Sequence, residues 1–254
     1  MNRQEEINRL WSDGAFNYNS IIREELHSFR VPAWQDFIQH QIQNRQGLSV
    51  LDAGCGPAFF SLILSELGHR VTAIDASVEM LKYAKENREL YNRDFSVLQM
   101  DCHQLALEDQ SFDLVISRNL THTLLDQEVV YREWKRILKP NGTVLIFDAN
   151  WHLAETDEEV YRESMRRHKE GIERFGSDFS GNTFFDEKQL DMEFKRERHL
   201  LGNVIRPAWD IPILQRAGFD KITIREDITG ELWDEKEKLI YGNTPLFMIR
   251  CEIG

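Results

Sequence analysis

The chain reads as an α/β protein built on an open, mostly parallel sheet with helices on its faces, and three observations carry that reading. An apolar run, Leu48 to Leu51, leads into Asp52-Ala53-Gly54-Cys55-Gly56-Pro57-Ala58-Phe59-Phe60, a strand that enters a glycine turn and opens a helix. Short apolar segments ending in an acid follow at Arg70 to Asp75 and Ser96 to Asp101. A helical stretch from Glu133 to Leu138, stopped by Pro140 and Gly142, gives way to a further strand, Thr143 to Asp148.

The glycine turn is the most informative element. Gly54 and Gly56 let the backbone turn tightly and present amide N–H groups at the positive end of the next helix. Such a turn binds a phosphate or a carboxylate. Two features argue against a dinucleotide: the carboxylate of Asp52 at the strand end, and Phe59 where the pyrophosphate pattern needs glycine for close approach.

The other elements follow in order. Asp75 lies 19 positions after Gly56, the place for a ribose-binding acid. Ser77 caps a helix with apolar spacing at Val78, Leu81 and Ala84, in which Met80 is either an adenine contact or core. Asp101 closes the third strand and is either an adenine ligand or a helix cap. Ser111 to Ser117 form a fourth strand, and Arg118 to His122 then lie at its C-terminal end, where open α/β sheets present ligands.

These segments together resemble the class I S-adenosylmethionine-dependent methyltransferases. Asp52, Gly54 and Gly56 match the first motif of that family, with Ala58 at its third glycine, and Phe112-Asp113 and Leu-Lys-Pro-x-Gly at 138–142 match later ones. The resemblance spans residues 47–150 strongly and 206–251 weakly. It implies a Rossmann-like, seven-stranded sheet in the order 3-2-1-4-5-7-6, whose last two strands, at 222–225 and 245–251, form an antiparallel, hairpin-like pair. It also implies S-adenosyl-L-methionine as cofactor, with a site drawn from Tyr18, Asp52, Ala53, Gly54, Cys55, Gly56, Asp75, Ala76, Met80, Asp101, Cys102, His103, Arg118, Asn119 and Thr121.

Composition sets the remaining bounds. At 254 residues the chain is read as one methyltransferase domain: a helical extension (1–46), a cofactor core (47–149), a helical insertion (150–205) and the end of the sheet (206–254). A net charge of −12 disfavours a nucleic-acid partner. No apolar run reaches the roughly 18–20 residues that cross a bilayer, no signal-peptide core is present, and Cys55, Cys102 and Cys251 suit neither a disulfide framework nor a metal site. A cytoplasmic location and a small-molecule substrate are therefore expected.

Within the extension, Pro32 restarts a helix carrying Trp34, Phe37 and Ile38; Trp11, Phe16 and Tyr18 are candidates for the cofactor mouth or else belong to an ordinary docking helix pair, and Met1 to Arg9 show no readable chemistry. In the insertion, charged helices at 154–174 and 186–200 flank an aromatic, glycine-containing stretch at 175–185, read as a substrate lid or a fixed excursion. His122 is the candidate general base, or else faces backbone or solvent. Trp11, Asp148, Trp151, Arg206 and Trp209 are the candidate substrate contacts, with the two later tryptophans forming an aromatic wall. The function expected is methyl transfer to a small-molecule acceptor; the alternative is a non-catalytic binder of the cofactor.

Overall fold

The computed structural model describes residues 3–176, 201 and 204–253. Two helices, α1 (Arg3–Leu26) and α2 (Arg30–Gln41), precede β1 (Ser49–Ala53), α3 (Phe59–Glu66), β2 (Arg70–Asp75), α4 (Val78–Leu90) and β3 (Ser96–Gln99). β4 (Phe112–Arg118), α5 (Gln127–Ile137), β5 (Leu138–Asp148) and α6 (Glu158–Phe175) follow. The chain ends with α7 (Asp210–Arg216), β6 (Lys221–Arg225), α8 (Thr229–Leu232), α9 (Glu235–Tyr241) and β7 (Phe247–Glu252).

The seven strands form one sheet in the order 3-2-1-4-5-7-6, as the resemblance implies. β1 to β5 pair in parallel, and β7 runs antiparallel to both β5 and β6. Side chains alternate across each strand, so both faces of the sheet need cover. Val50, Leu114, Leu145 and Phe147 pack with α1 to α4, whereas Leu51, Val115, Val144 and Ile146 pack with α5 and α7. This parity also puts Asp52 on the α3 side, where Ser61 meets it.

At the centre of the first face, the Trp34 ring lies 4.9 Å from Phe147 and 5.0 Å from Phe60, each pair edge-on. Edge-to-face contacts at this spacing satisfy the ring quadrupoles and fix α2 and α3 over β5.

Three departures from the sequence reading have physical causes. The helix before β5 ends at Ile137, ahead of Pro140, because Leu138 already pairs with Phe112 and the register then shifts before Leu114 meets Thr143. Gly142 belongs to this irregular strand start, where a Cβ would lie 2.8 Å from the Lys139 carbonyl oxygen. The last two strands are neighbours but no tight hairpin: α8 and α9 lie between them, and the Asp234–Glu237 capping box that starts α9 was the overlooked signal.

The first insertion helix is present as α6 and docks on the α9 segment, with Arg167 donating to the Lys238 carbonyl at 3.1 Å and Asn243 to Ser164 Oγ at 2.7 Å. Phe175 and Gly176 end it; the rest of the lid candidate and the 186–200 helix lie outside the described residues. Replacing the fully buried Phe147 by alanine is expected to cost about 3–5 kcal/mol in a chemical-denaturation measurement. A loss under about 1 kcal/mol would show that the aromatic cluster is not what secures the first face.

Candidate active site

The turn after β1 folds as its glycines dictate. Gly54 and Gly56 take φ of +67° and +52°, and a Cβ on Gly54 would lie 2.7 Å from Leu120 Cδ1. Asp75, at the end of the neighbouring β2, locks the turn: Oδ2 accepts from the Gly56 amide at 2.9 Å and Oδ1 from the Ser77 amide at 2.8 Å. Burial raises the pKa of Asp75 against the pull of these amides. Asp101 is exposed and makes a turn, not a helix cap, accepting from the His103 amide at 2.9 Å and pairing with His103 Nδ1 at 2.7 Å. The Asp126 amide donates to the other ring nitrogen of His103, joining the loops after β3 and β4.

A cleft of about 700 Å³ opens along the C-terminal ends of these strands. Among the expected cofactor residues, Tyr18, Gly54, Gly56, Asp75, Ala76, Met80, Asp101, Cys102, His103, Arg118 and Asn119 line it. Met80 is buried as well as lining the cleft, its sulfur 3.9 Å from where a Cβ on Gly56 would lie. Asp52 and Cys55 border a smaller adjoining hollow of about 260 Å³ with Tyr18 and Arg118. Ala53 and Thr121 lie fully buried beneath the cleft and form no part of its wall.

The cover of the cleft is α1. Gln4, Ile7, Asn8, Trp11 and Tyr18 recur at helical spacing on one face and all line it, so the stretch before Arg9 that looked empty of chemistry supplies part of the wall. The helix is fastened by Ser12 Oγ to Ser77 Oγ at 2.9 Å and by Asn87 Nδ2 donating to Asn19 Oδ1 at 2.8 Å and to the Pro57 carbonyl at 3.0 Å. Arg118 pairs with Glu25 of α1 at 2.9 Å, with its guanidinium 4.5 Å from the Phe59 ring centre. Arg118 and Asn119 stand beside the Tyr18 hydroxyl, and burial raises its pKa. Asn119 Oδ1 and Gln4 Oε1 remain buried without a partner among the described residues.

A second polar cluster lies beside the cleft, at the end of β5. Asp148 Oδ2 accepts from Thr121 Oγ1 (2.7 Å), the His122 amide (2.9 Å) and Arg206 (2.9 Å). Its Oδ1 accepts from His122 Nδ1 (2.9 Å), its neighbour Ala149 (2.9 Å) and Trp151 Nε1 (3.0 Å). Arg206 also forks onto Asp210 at 2.8 Å through two nitrogens, and Tyr131 donates to the same carboxylate at 2.9 Å. Burial would raise the Asp148 pKa, but His122 and Arg206 hold it well below the usual carboxylate range. Burial lowers the pKa of His122 despite Asp148. Its Nδ1–H therefore points at Asp148 and leaves the lone pair on Nε2.

This arrangement corrects the substrate-side expectations. The Asp148 and Arg206 side chains have 0% and 1% of their surface exposed, and neither lines the cleft. Trp151 packs on the α1–α4 face with Tyr241, and Trp209 on the α5–α7 face, so they form no common wall. Trp11 alone of that set lines the cleft, its ring 6.5 Å from that of His122.

Comparison with known proteins bears on the whole architecture. The family described as "Methyltransferase domain" matches residues 51–146, from β1 through β5. A demethylmenaquinone methyltransferase of Staphylococcus haemolyticus is 25% identical over 241 residues, covering 90% of this chain and 91% of the relative. The chain is an S-adenosylmethionine-dependent methyltransferase with the class I fold. A malonyl-[acyl-carrier protein] O-methyltransferase of Erwinia billingiae is 37% identical over 107 residues, covering 40% of this chain and 39% of the relative. The crystal structure of an S-adenosylmethionine-dependent methyltransferase from Aquifex aeolicus shares the fold, with a TM-score of 0.56 at 18% identity over 93% of this chain and 98% of that one.

The cleft of this methyltransferase fits its cofactor by donor and acceptor chemistry. Its wall offers the Asp75 and Asp101 carboxylates and the unpartnered oxygens of Asn119 and Gln4. S-Adenosylmethionine brings donors to match, in its ribose hydroxyls, adenine amine and methionyl ammonium. A pyrophosphate would bring charge of the wrong sign.

Two predictions follow from the turn. Asp75→Ala should weaken S-adenosylhomocysteine binding about tenfold to a hundredfold, the loss of a charge-assisted bond of about 1.5–3 kcal/mol; unchanged affinity in a calorimetric titration would remove Asp75 from the site. Burial pushes Asp52 up to about 6, although the amide and hydroxyl of Ser61 donate to it at 3.0 and 2.6 Å. A carboxyl raised above its unfolded value makes the fold less stable as pH rises through the folded pKa. Asp52→Asn should therefore raise the melting temperature of the free protein at pH 8 and change it little at pH 4.5. An equal shift at both values would contradict a buried charge penalty.

Proposed function

We propose that this methyltransferase acts on a small-molecule acceptor whose nucleophile gives up a proton as it takes the methyl group, such as a phenol or an enolisable carbon. The observation that supports this most is the His122–Asp148 dyad, held beside the cleft with the His122 lone pair on Nε2. Bound S-adenosylmethionine supplies a methyl carbon that is already strongly electrophilic. What the chain's own residues add is orientation, exclusion of water and a proton acceptor.

Each group has a part in that scheme. Asp148 fixes the tautomer of His122 and is kept ionised by Arg206, so it stabilises the imidazolium that forms when Nε2 takes the acceptor's proton. Trp11, which lines the cleft with its ring 6.5 Å from that of His122, offers an apolar face to a planar acceptor. The names of the relatives lend support to a small acceptor, one being named for demethylmenaquinone and another for a malonyl group on acyl-carrier protein. The net charge of −12 speaks for such an acceptor over nucleic acid. No helix among the described residues is long and apolar enough to cross a membrane. The buried free thiols of Cys55, Cys102 and Cys251 suit the reducing cytoplasm, where we place the enzyme.

The test is a panel of phenol, enol, amine and thiol acceptors, with release of S-adenosylhomocysteine as the readout. Transfer is expected to phenols or enolisable carbons, to fall about 10²–10⁴-fold in His122→Asn with S-adenosylhomocysteine affinity unchanged, and to be lost as His122 protonates at low pH. Turnover of an amine or thiol that is indifferent to His122 would overturn the proposal, as would cofactor binding without transfer to any acceptor.

A further inference from the structure

We propose that Gln4, from the first turns of α1, is a specificity residue for the adenine base, accepting a hydrogen bond from its exocyclic amine through Oε1. The inference rests on the cofactor assignment above and concerns a part of the chain whose sequence shows no motif.

Gln4 lines the cleft, and its Oε1 is buried without a partner among the described residues. Its Nε2 is already committed, donating to Asn8 Oδ1 at 2.9 Å one helical turn on. With Nε2 turned to Asn8, the oxygen is the atom left over. A buried acceptor with nothing to accept from costs stability, and a ligand donor removes that cost.

The helix itself orders the cofactor's parts. Tyr18 meets the glycine turn, a Cβ on Gly56 lying 3.3 Å from its ring, and Arg118 and Asn119 stand beside it. Ser12 touches Ser77, next to the ribose acid Asp75. At about 1.5 Å per residue, Gln4 lies about 12 Å beyond Ser12 along the axis, on the side away from Tyr18. The sequence of sites along α1 is thus methionyl end, ribose, base. Met100, Asp101 and His103 share the cleft with Gln4. An adenine amine carries two N–H groups, enough for Asp101 and for Gln4.

A ligand pair isolates this contact without any turnover. S-Inosylhomocysteine differs from S-adenosylhomocysteine by a carbonyl oxygen in place of the amine, so an acceptor on the protein opposes it. Calorimetric titration of the full chain with both ligands gives the ratio of their dissociation constants. Gln4→Leu keeps the bulk and removes the acceptor, and should reduce the wild-type preference for the adenosyl ligand about three- to tenfold. Gln4→Glu keeps an acceptor while losing the N–H that donates to Asn8, and should retain the preference. An unchanged ratio in Gln4→Leu, with both ligands weakened alike, would show that Gln4 serves only to pack α1. A reduced ratio in both variants would assign the effect to the Asn8 bond and equally overturn the proposal. Failure of the wild-type protein to bind either ligand would instead count against the cofactor assignment.

Discussion

The buried carboxylate of Asp148 is the constraint on which the polar cluster at the end of β5 depends. It closes β5, and its two oxygens gather the loop after β4, the start of the insertion and the segment that returns to the sheet at Arg206. An ionised group in such a place is tolerated only because every lone pair is used and a guanidinium faces it. Arg206 in turn is balanced by Asp210, which Tyr131 of α5 also holds. The network therefore ties both faces of the sheet to one imidazole. His122 gains from this a fixed tautomer, low exposure and a partner that stays charged.

The cofactor side follows a different rule. There the wall carries two acceptors awaiting donors, Asn119 Oδ1 and Gln4 Oε1, with α1 drawn across it by polar contacts to α4 and by the Arg118–Glu25 pair. A preformed site of this kind has already met the cost of ordering its loops, so more of the interaction energy is available for binding. The acceptor pattern also explains why the glycine turn, which resembles an anion site, takes a cationic cofactor: Asp75 already occupies the Gly56 amide.

The sequence revealed the sheet and most of the cofactor cleft because their signals are local. A glycine turn after an apolar run, and acids at the ends of successive strands, each declare their position within a few residues. Strand order was legible only through family resemblance. What stayed hidden was tertiary. Asp148 and Arg206 are 58 positions apart, and nothing in either segment shows that they neutralise one another; exposed polar residues near a site and buried ones read alike. Gln4 and Asn8 join the cleft only because α1 folds back over it. The same blindness to packing made Trp151 and Trp209 look like one wall, when they pack on opposite faces of the sheet.

The central claim is that His122 waits as a neutral base with Nδ1–H on Asp148. Nitrogen-15 NMR of the imidazole rings, recorded across a pH series on protein saturated with S-adenosylhomocysteine and assigned with His122→Asn, tests it most directly. The account predicts an Nδ1–H tautomer at neutral pH that protonates only below the ordinary histidine value. An Nε2–H tautomer, or an imidazolium persisting at neutral pH, would contradict it.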